Sequence, residues 1–167
     1  RLGRRHWPAV MVSAMRSLAL AERAMGRTAA AVRAVRAALR LARRTTAEER
    51  LWTRLEAGLV ETDRDDWAAA RDHWETALRE AGERWDAPAA LAAACLGRAE
   101  VRRPDRAAAV RLQERVEQWL RDRTAPMVAA ALAQLGAEIA LASGRSTEAV
   151  ARVQQALASW EAVGAPD

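Results

Sequence analysis

The residue types that most often carry out catalysis or bind metals are few in this chain and widely separated. Its two histidines, His6 and His73, each lack a His, Cys or Glu at the spacing of three or four residues that places two ligands on one helix face. We therefore expect His73 to lie at the surface or at the edge of the core. The single cysteine, Cys95, follows three alanines and precedes a leucine, which is typical of a buried thiol rather than a nucleophile.

Four acidic residues, Glu61, Asp63, Asp65 and Asp66, form a cluster similar to the start of a calcium-binding loop. Such a loop needs a glycine at its sixth position and a glutamate at its twelfth, where this chain has Trp74. The cluster is better interpreted as a turn that caps the next helix. Glycine-rich phosphate loops, nucleophile elbows and paired-cysteine motifs are also missing from the sequence. We therefore predict that the chain is not an enzyme and binds no cofactor or metal.

The composition favours a helical protein outside the membrane. The 167 residues include 27 arginines and no lysine, and the net charge is +5. One cysteine excludes an intrachain disulfide framework, and no apolar run reaches the 18 residues of a membrane span. The chain begins without Met and without an apolar segment of signal-peptide length. We expect it to be cytoplasmic and to be part of a longer protein.

Small residues recur along the chain with a period of about 39, which indicates an internal repeat. One series lies at Ala19, Gly58, Gly97 and Gly136, and each member follows Leu18, Ala57, Leu96 or Leu135. A second series lies at Ala31, Ala70, Ala109 and Ala149, with one extra residue near Gly144. Two series with one period predict four copies of a two-helix unit. Small residues at the helix crossings would let the two backbones approach closely.

Capping signals mark the boundaries of these units. Thr46 with Glu49 has the spacing of a capping box, and Asp66, Asp105 and Ser146 stand where second helices should begin. Thr124 before Pro126 predicts a cap followed by an early proline. The sequence thus predicts one all-α domain of eight antiparallel helices, near 8–25, 28–44, 47–63, 67–84, 88–103, 106–122, 125–142 and 147–162. The corresponding repeats are 8–44, 46–84, 87–123 and 125–162.

These repeats resemble the tetratricopeptide repeat family. The matching residues are Leu96-Gly97 and Leu135-Gly136 on first helices, and Asp66-Trp67, Ala70, Trp74 and Ala77 on a second helix. The period of 39 to 40 exceeds the 34 residues usual in that family. Longer units of this kind are similar to the sensor arrays of large bacterial LuxR-type ATP-dependent regulators. The resemblance implies an α-solenoid that binds a protein, peptide or inducer and passes the result to flanking domains.

The resemblance also implies that the first helices line a concave groove that binds partners. The groove positions carried over are Ser13, Arg16, Leu20 and Arg23, then Trp52, Leu55, Leu59 and Thr62, then Leu91, Ala94, Arg98 and Arg102, and last Ala130, Ala133, Ala137 and Ala140. The candidate contacts among them are Arg16, Leu20, Arg23, Trp52, Leu55, Leu59, Arg98 and Arg102. Arginines around leucines would suit an acidic or amphipathic peptide, because a guanidinium forms paired hydrogen bonds with a carboxylate.

A second candidate surface is a stripe of arginines on the second helix. Arg33, Arg36, Arg40 and Arg43 follow helical spacing and lie opposite the predicted core residues of that helix. Residues 1–50 carry a net charge of +9 and residues 51–167 a net charge of −4. The stripe is either a solvated face or a site for an acidic partner or nucleic-acid phosphates. The opposite charges of the two ends also suggest a self-associating scaffold, and the array is expected to end without a polar capping helix.

Overall fold

The computed structural model describes residues 7–83 and 85–164, and over these residues the fold is all-α, as predicted. The eight helices are α1 (Trp7–Ala24), α2 (Thr28–Ala42), α3 (Ala47–Thr62), α4 (Trp67–Ala81), α5 (Ala87–Arg102), α6 (Arg106–Leu120), α7 (Pro126–Ala142) and α8 (Ser146–Gly164). None of the helices in this part of the chain is both long enough and apolar enough to cross a membrane.

The helices form two compact units, one ending at Pro88 and the other beginning at Ala89. In the first unit α1 packs on α2, α3 packs on α4, and α3 also contacts both α1 and α2. In the second unit α7 packs on α8 and on α6, and Val101 of α5 packs against Ala109 of α6 and Leu135 of α7. Each unit is therefore a pair of stacked helical hairpins.

The turn inside each hairpin has the same backbone hydrogen bond. This shared bond is direct structural support for four copies of one repeating unit. An amide N–H donates to the carbonyl oxygen five residues earlier, in the pairs Arg27 to Glu22, Asp66 to Glu61, Asp105 to Glu100 and Arg145 to Ala140. The spacing between successive turns is 39, 39 and 40, so the extra residue lies in the fourth copy, as the sequence predicts. The residue before the donor is left-handed at Gly26 (φ 70°), Asp65 (φ 58°) and Gly144 (φ 75°). Glycine adopts this conformation without steric cost, and aspartate tolerates it.

Three of the predicted helix caps are confirmed. The Thr46 side chain accepts a hydrogen bond from the Glu49 N–H at 3.3 Å, Asp66 accepts from Ala69 at 3.0 Å, and Asp105 accepts from Ala108 at 2.9 Å. The predicted cap at Thr124 is wrong. The residue at the N-cap of α7 is Ala125, which offers no side-chain acceptor, and Pro126 occupies the first turn. That helix begins with the proline, which needs no partner for a backbone N–H.

Small residues lie where helices come closest, but they do not all face the same neighbour. Gly58 lies under the indole of Trp74 in its own hairpin, where an added methyl group would overlap the ring. Gly97 instead faces Leu135 of the following hairpin. The prediction that small residues permit close crossings is confirmed, and its assignment of every crossing to a single hairpin is wrong for Gly97. The reason is that α5 also packs beside α7, so one glycine serves the contact between repeats.

Replacing Gly97 by leucine should lower the free energy of unfolding of the second unit by about 1–3 kcal/mol. Even a methyl group at this position would lie 2.7 Å from Leu135 Cδ2, so a larger side chain must displace the buried side chain of Leu135. Urea denaturation followed by circular dichroism measures the loss. Ala107→Leu is the control, because Ala107 is exposed on α6 and gains an aliphatic side chain without a clash. Equal stability of the Gly97→Leu variant and the native chain would contradict the packing described here.

Candidate functional site

The groove arginine of α1, Arg16, is held by two carboxylates of α3. Its Nε and Nη2 atoms donate to Glu56 at 3.0 and 2.7 Å, and its Nη1 donates to Glu49 at 3.0 Å. The guanidinium carbon also lies 5.6 Å from the centre of the Trp52 ring. Burial by itself would lower the pKa of Arg16, but the hydrogen bonds and charges of Glu56 and Glu49 outweigh it and raise that pKa above its ordinary value. Arg16 is therefore permanently charged and already paired.

The same arrangement recurs at two more of the predicted groove arginines. Arg23 of α1 donates from Nε and Nη2 to Asp63 at 2.5 and 3.0 Å, and Arg98 of α5 donates from Nε to Glu138 of α7 at 2.7 Å. In all three cases the carboxylate is 40 residues after the arginine. It lies on the first helix of the next repeat or, for Asp63, at the end of that helix. These arginines connect neighbouring repeats. Arg102, the fourth candidate, is exposed at the end of α5.

The apolar groove candidates differ widely in exposure. Leu20 is 42% exposed and, with Arg23 and Asp63, borders a shallow hollow, whereas Leu55 is buried. Trp52 and Leu59 are half-buried. Thr62 donates its hydroxyl to the Leu59 carbonyl oxygen at 2.7 Å. Of the remaining carried-over positions, Ser13 is exposed, and Leu91, Ala94, Ala130, Ala133, Ala137 and Ala140 are buried.

The structure therefore brings Arg16 and Trp52 together, and separately brings Leu20 and Arg23 together, within the first unit. Arg98 and Arg102 belong to the second unit. The buried alanines at the fourth-repeat positions are packing residues rather than an open lining. The candidate groove contacts remain a prediction.

The residues first considered for chemistry have structural roles. Asp66 caps α4, Glu61 pairs with Arg64, and Asp65 accepts a hydrogen bond from Trp67 Nε1 at 2.9 Å. Together with the Asp63 pair these contacts agree with the interpretation of the acidic cluster as a capping turn. Cys95 is buried, as expected. Among residues 7–83 and 85–164 no three His, Cys, Asp or Glu side chains converge as metal ligands would. His6 lies outside the described residues.

His73 is half-buried on α4, at the edge of the core as predicted, and its Nδ1 atom is buried without a hydrogen-bond partner. Burial lowers the pKa of the imidazole, and the charges of Arg54 on α3 and Arg36 on α2 lower it further. Asp72 and Glu61 act in the opposite direction. His73 is therefore held neutral at pH values where a histidine in water begins to take up a proton.

The stability of the first unit should fall when the pH drops below about 6.5, the pKa of an unperturbed histidine. Because the folded-state pKa lies lower, the unfolded chain binds the proton first, and acidification favours unfolding by up to about 1.4 kcal/mol per pH unit until the folded form also protonates. Urea midpoints measured between pH 7.5 and about 5 test this. A His73→Gln variant should lack this part of the pH dependence. A variant that follows the same curve as the native chain would assign the effect to other groups.

In contrast to Arg16, Arg23 and Arg98, the arginines of the α2 stripe are not paired with a carboxylate. Arg33, Arg36, Arg40 and Arg43 are all exposed, and none of the four forms an ion pair within the described part of the chain. The opposite side of α2 is buried and apolar, with Ala31, Val32, Ala34, Val35, Ala38 and Ala42 in the core. The amphipathic arrangement of α2 predicted from its spacing is therefore confirmed.

Two arginines of α3 extend this stripe. A hollow of about 160 Å³ lies where α2 ends and α3 begins, and it is bordered by Leu39, Arg40, Ala42, Arg43, Arg50 and Arg54. Arg50 and Arg54 share one carboxylate, Glu80, at 3.3 and 2.8 Å. The hollow is thus bordered by four arginines, two of which share the carboxylate of Glu80. We name the α2 stripe together with Arg50 and Arg54 the basic face.

Sequence reasoning missed the α3 half of the basic face. Arg50 and Arg54 have the i, i+4 spacing that puts both on one side of a helix, and this signal was available. Their proximity to Arg40 and Arg43 depends on how α2 and α3 pack, which the spacing alone does not give.

Comparison with known proteins adds no assignment, because no family model and no curated protein matches this chain.

Proposed function

We propose that this chain is a helical-repeat interaction module that binds an acidic protein segment through the basic face. The observation that carries the proposal is the contrast between two sets of arginines. Arg16, Arg23 and Arg98 each have a carboxylate at hydrogen-bond distance, whereas Arg33, Arg36, Arg40 and Arg43 have none. Unpaired guanidinium groups gain most from a carboxylate that a partner brings.

The same contrast argues against the groove as the main anion site. A partner carboxylate at Arg16 would have to displace Glu56, which is itself almost fully buried and bound at two atoms. Such an exchange replaces one strong pair by another and leaves Glu56 without its partner, so its net gain is small. The hollow beside Arg40 and Arg43 requires no displacement of this kind.

The wider context of the module is proposed on the resemblance to tetratricopeptide repeats. Four hairpin turns with the same hydrogen bond support a repeat of that type. We propose that the module is the sensor or scaffold segment of a cytoplasmic bacterial regulator or signalling ATPase. In such a protein, binding of the partner to the module would change the activity of a catalytic or DNA-binding domain that is joined to it by the flanking chain.

The test uses a labelled acidic peptide of alternating glutamate and leucine blocks, with affinity measured by fluorescence anisotropy. The double substitution Arg40→Glu and Arg43→Glu should weaken binding at least about tenfold, because it replaces attraction by repulsion on the α2 side of the hollow. The matched control is Arg106→Glu with Arg111→Glu, which changes the charge of exposed α6 residues by the same amount. An equal loss in both double variants would show only a non-specific charge effect and would contradict the proposal.

A further pair of variants separates the basic face from the groove. Arg98→Glu with Arg102→Glu should leave peptide binding within about twofold of the native value. A large loss in this variant, with the Arg40 and Arg43 variant unchanged, would transfer the site to the groove.

Nucleic acid is the second candidate partner, because the unpaired arginines of the basic face would also suit phosphates. Titration with duplex and single-stranded DNA at two salt concentrations distinguishes it, since phosphate-driven affinity decreases steeply with salt. Binding to DNA with such a slope, together with no binding to the acidic peptide, would replace the proposed function.

A further inference from the structure

Leu18 on α1 is exposed at a repeat position that is buried in every later copy. Its side chain is 45% exposed, whereas the equivalent residues Ala57, Leu96 and Leu135 are 0%, 6% and 0% exposed. A large apolar side chain at a position that is otherwise part of the core indicates a contact surface without its partner. Trp7 and Met11 on the same helix, and Met25 directly after it, are exposed as well.

Within this chain, the fourth repeat shows what a leucine at this position binds. Leu135 packs against Gly97 of the preceding first helix and joins Ala109 of the preceding second helix in one core cluster. A leucine of one repeat therefore fits against a glycine and an alanine of the repeat before it. Leu18 belongs to the first described repeat and has no such pair to fit against.

The last repeat contains the matching pair, and both of its residues are buried, with the Arg152 side chain next to the glycine. Gly136 and Ala149 are the equivalents of Gly97 and Ala109 by the repeat spacing. Beside them α8 carries a stripe of exposed apolar side chains, at Val150 (58%), Val153 (48%), Leu157 (57%) and Trp160 (39%). The equivalents of Val153 in the first two repeats, Val35 and Trp74, are each only 1% exposed. Val35 is covered in part by Ala57 and Val60 of the following repeat.

We propose that α1 of a second copy of this chain docks on α7 and α8, with Leu18 against Gly136 and Ala149 as Leu135 lies against Gly97 and Ala109. The Arg152 side chain, which is one-third exposed and lies next to Gly136, moves aside in the complex. Residues 7–44 carry eight arginines and one glutamate, and residues 126–164 carry two arginines and three glutamates. This charge difference favours contact between unlike ends over a symmetric pairing of two α8 helices.

A contact between unlike ends leaves an α1 surface free on one copy and an α7–α8 surface free on the other, so further copies can add to the first two. Sedimentation and light scattering of the native chain across micromolar to millimolar concentration should show a mass that rises past that of two chains. Leu18→Glu and Val153→Glu should each weaken association at least tenfold. The matched control is Leu20→Glu, because Leu20 is 42% exposed on the same helix but two residues away, on the opposite side, and its substitution should leave association unchanged.

Mixing the two defective variants gives the decisive measurement. Leu18→Glu retains an intact α8 surface and Val153→Glu retains an intact α1 surface, so an equimolar mixture should form one-to-one dimers and nothing larger. Circular dichroism spectra equal to that of the native chain establish that each variant is folded. A native chain that stays monomeric throughout, association that survives Leu18→Glu, or equal loss in Leu20→Glu would overturn the proposal. A dimer that only Val153→Glu disrupts would instead assign the contact to two α8 helices.

Discussion

Replacing Trp74 by alanine should lower the free energy of unfolding of the first unit by about 3–5 kcal/mol. Trp74 is the largest fully buried side chain of the described residues, with 1% of its surface exposed. Its ring fills the space over Gly58, and its Nε1 donates to the Leu55 carbonyl oxygen at 3.2 Å. Truncation would leave a cavity between α3 and α4 and remove this hydrogen bond. Urea denaturation followed by circular dichroism measures the loss.

Two variants separate the parts of this effect. Trp74→Phe keeps most of the ring but removes the hydrogen bond, so about 1–2 kcal/mol of the loss should remain. Trp52→Ala removes a half-buried ring whose described contact is with Arg16, and the loss should be smaller than for Trp74→Ala. If Trp52→Ala were as destabilising as Trp74→Ala, Trp74 would not be the central packing residue of this unit.

Neutralising Glu56 by substitution with glutamine should destabilise the first unit by about 2–3 kcal/mol. Glu56 is 7% exposed and Arg16 is 16% exposed, so removal of the carboxylate charge leaves a guanidinium with only Glu49 to neutralise it. Breaking one side of a buried ion pair costs more than the pair contributes, because the remaining charge stays away from water. Thermal and urea unfolding of Glu56→Gln measure the change.

The chain contains a matched control for this prediction in Asp63→Asn. Asp63 also pairs with an arginine 40 residues earlier, but both partners are about one-third exposed, so the loss should be below about 1 kcal/mol. Equal losses in Glu56→Gln and Asp63→Asn would contradict the view that burial decides the importance of these pairs. The double substitution Arg16→Met with Glu56→Leu should recover stability, since apolar side chains of similar size can replace a buried ion pair.

The sequence predicts the helical hairpins well because the information for them is local. The recurrence of Gly58, Gly97 and Gly136 and the caps at Asp66 and Asp105 identify the repeat, the turns and the buried face of each helix. The sequence predicts the wrong neighbour for the crossing at Gly97, and the reason is physical. A small residue allows close approach but does not specify which of two adjacent helices approaches.

The candidate groove shows the limit of the same reasoning. Helical spacing correctly places Arg16 and Arg23 on one side of α1, but it does not reveal that carboxylates of α3 neutralise them. A signal for these pairs exists, because Glu56, Asp63 and Glu138 each follow a groove arginine by 40 residues, close to the repeat period. Recognising it requires treating the repeat as a set of contacts between copies rather than as a set of similar helices.

The constant 40-residue separation of these pairs also bears on how the chain reaches its native state during synthesis. Arg16, Arg23 and Arg98 each meet their carboxylate once the next hairpin begins to emerge from the ribosome, with no need for a distant part of the chain. Loops of this length close quickly and at modest entropic cost. Each new hairpin can therefore be secured on the nascent chain shortly after it is made, which shortens the time for which its apolar side is open to aggregation.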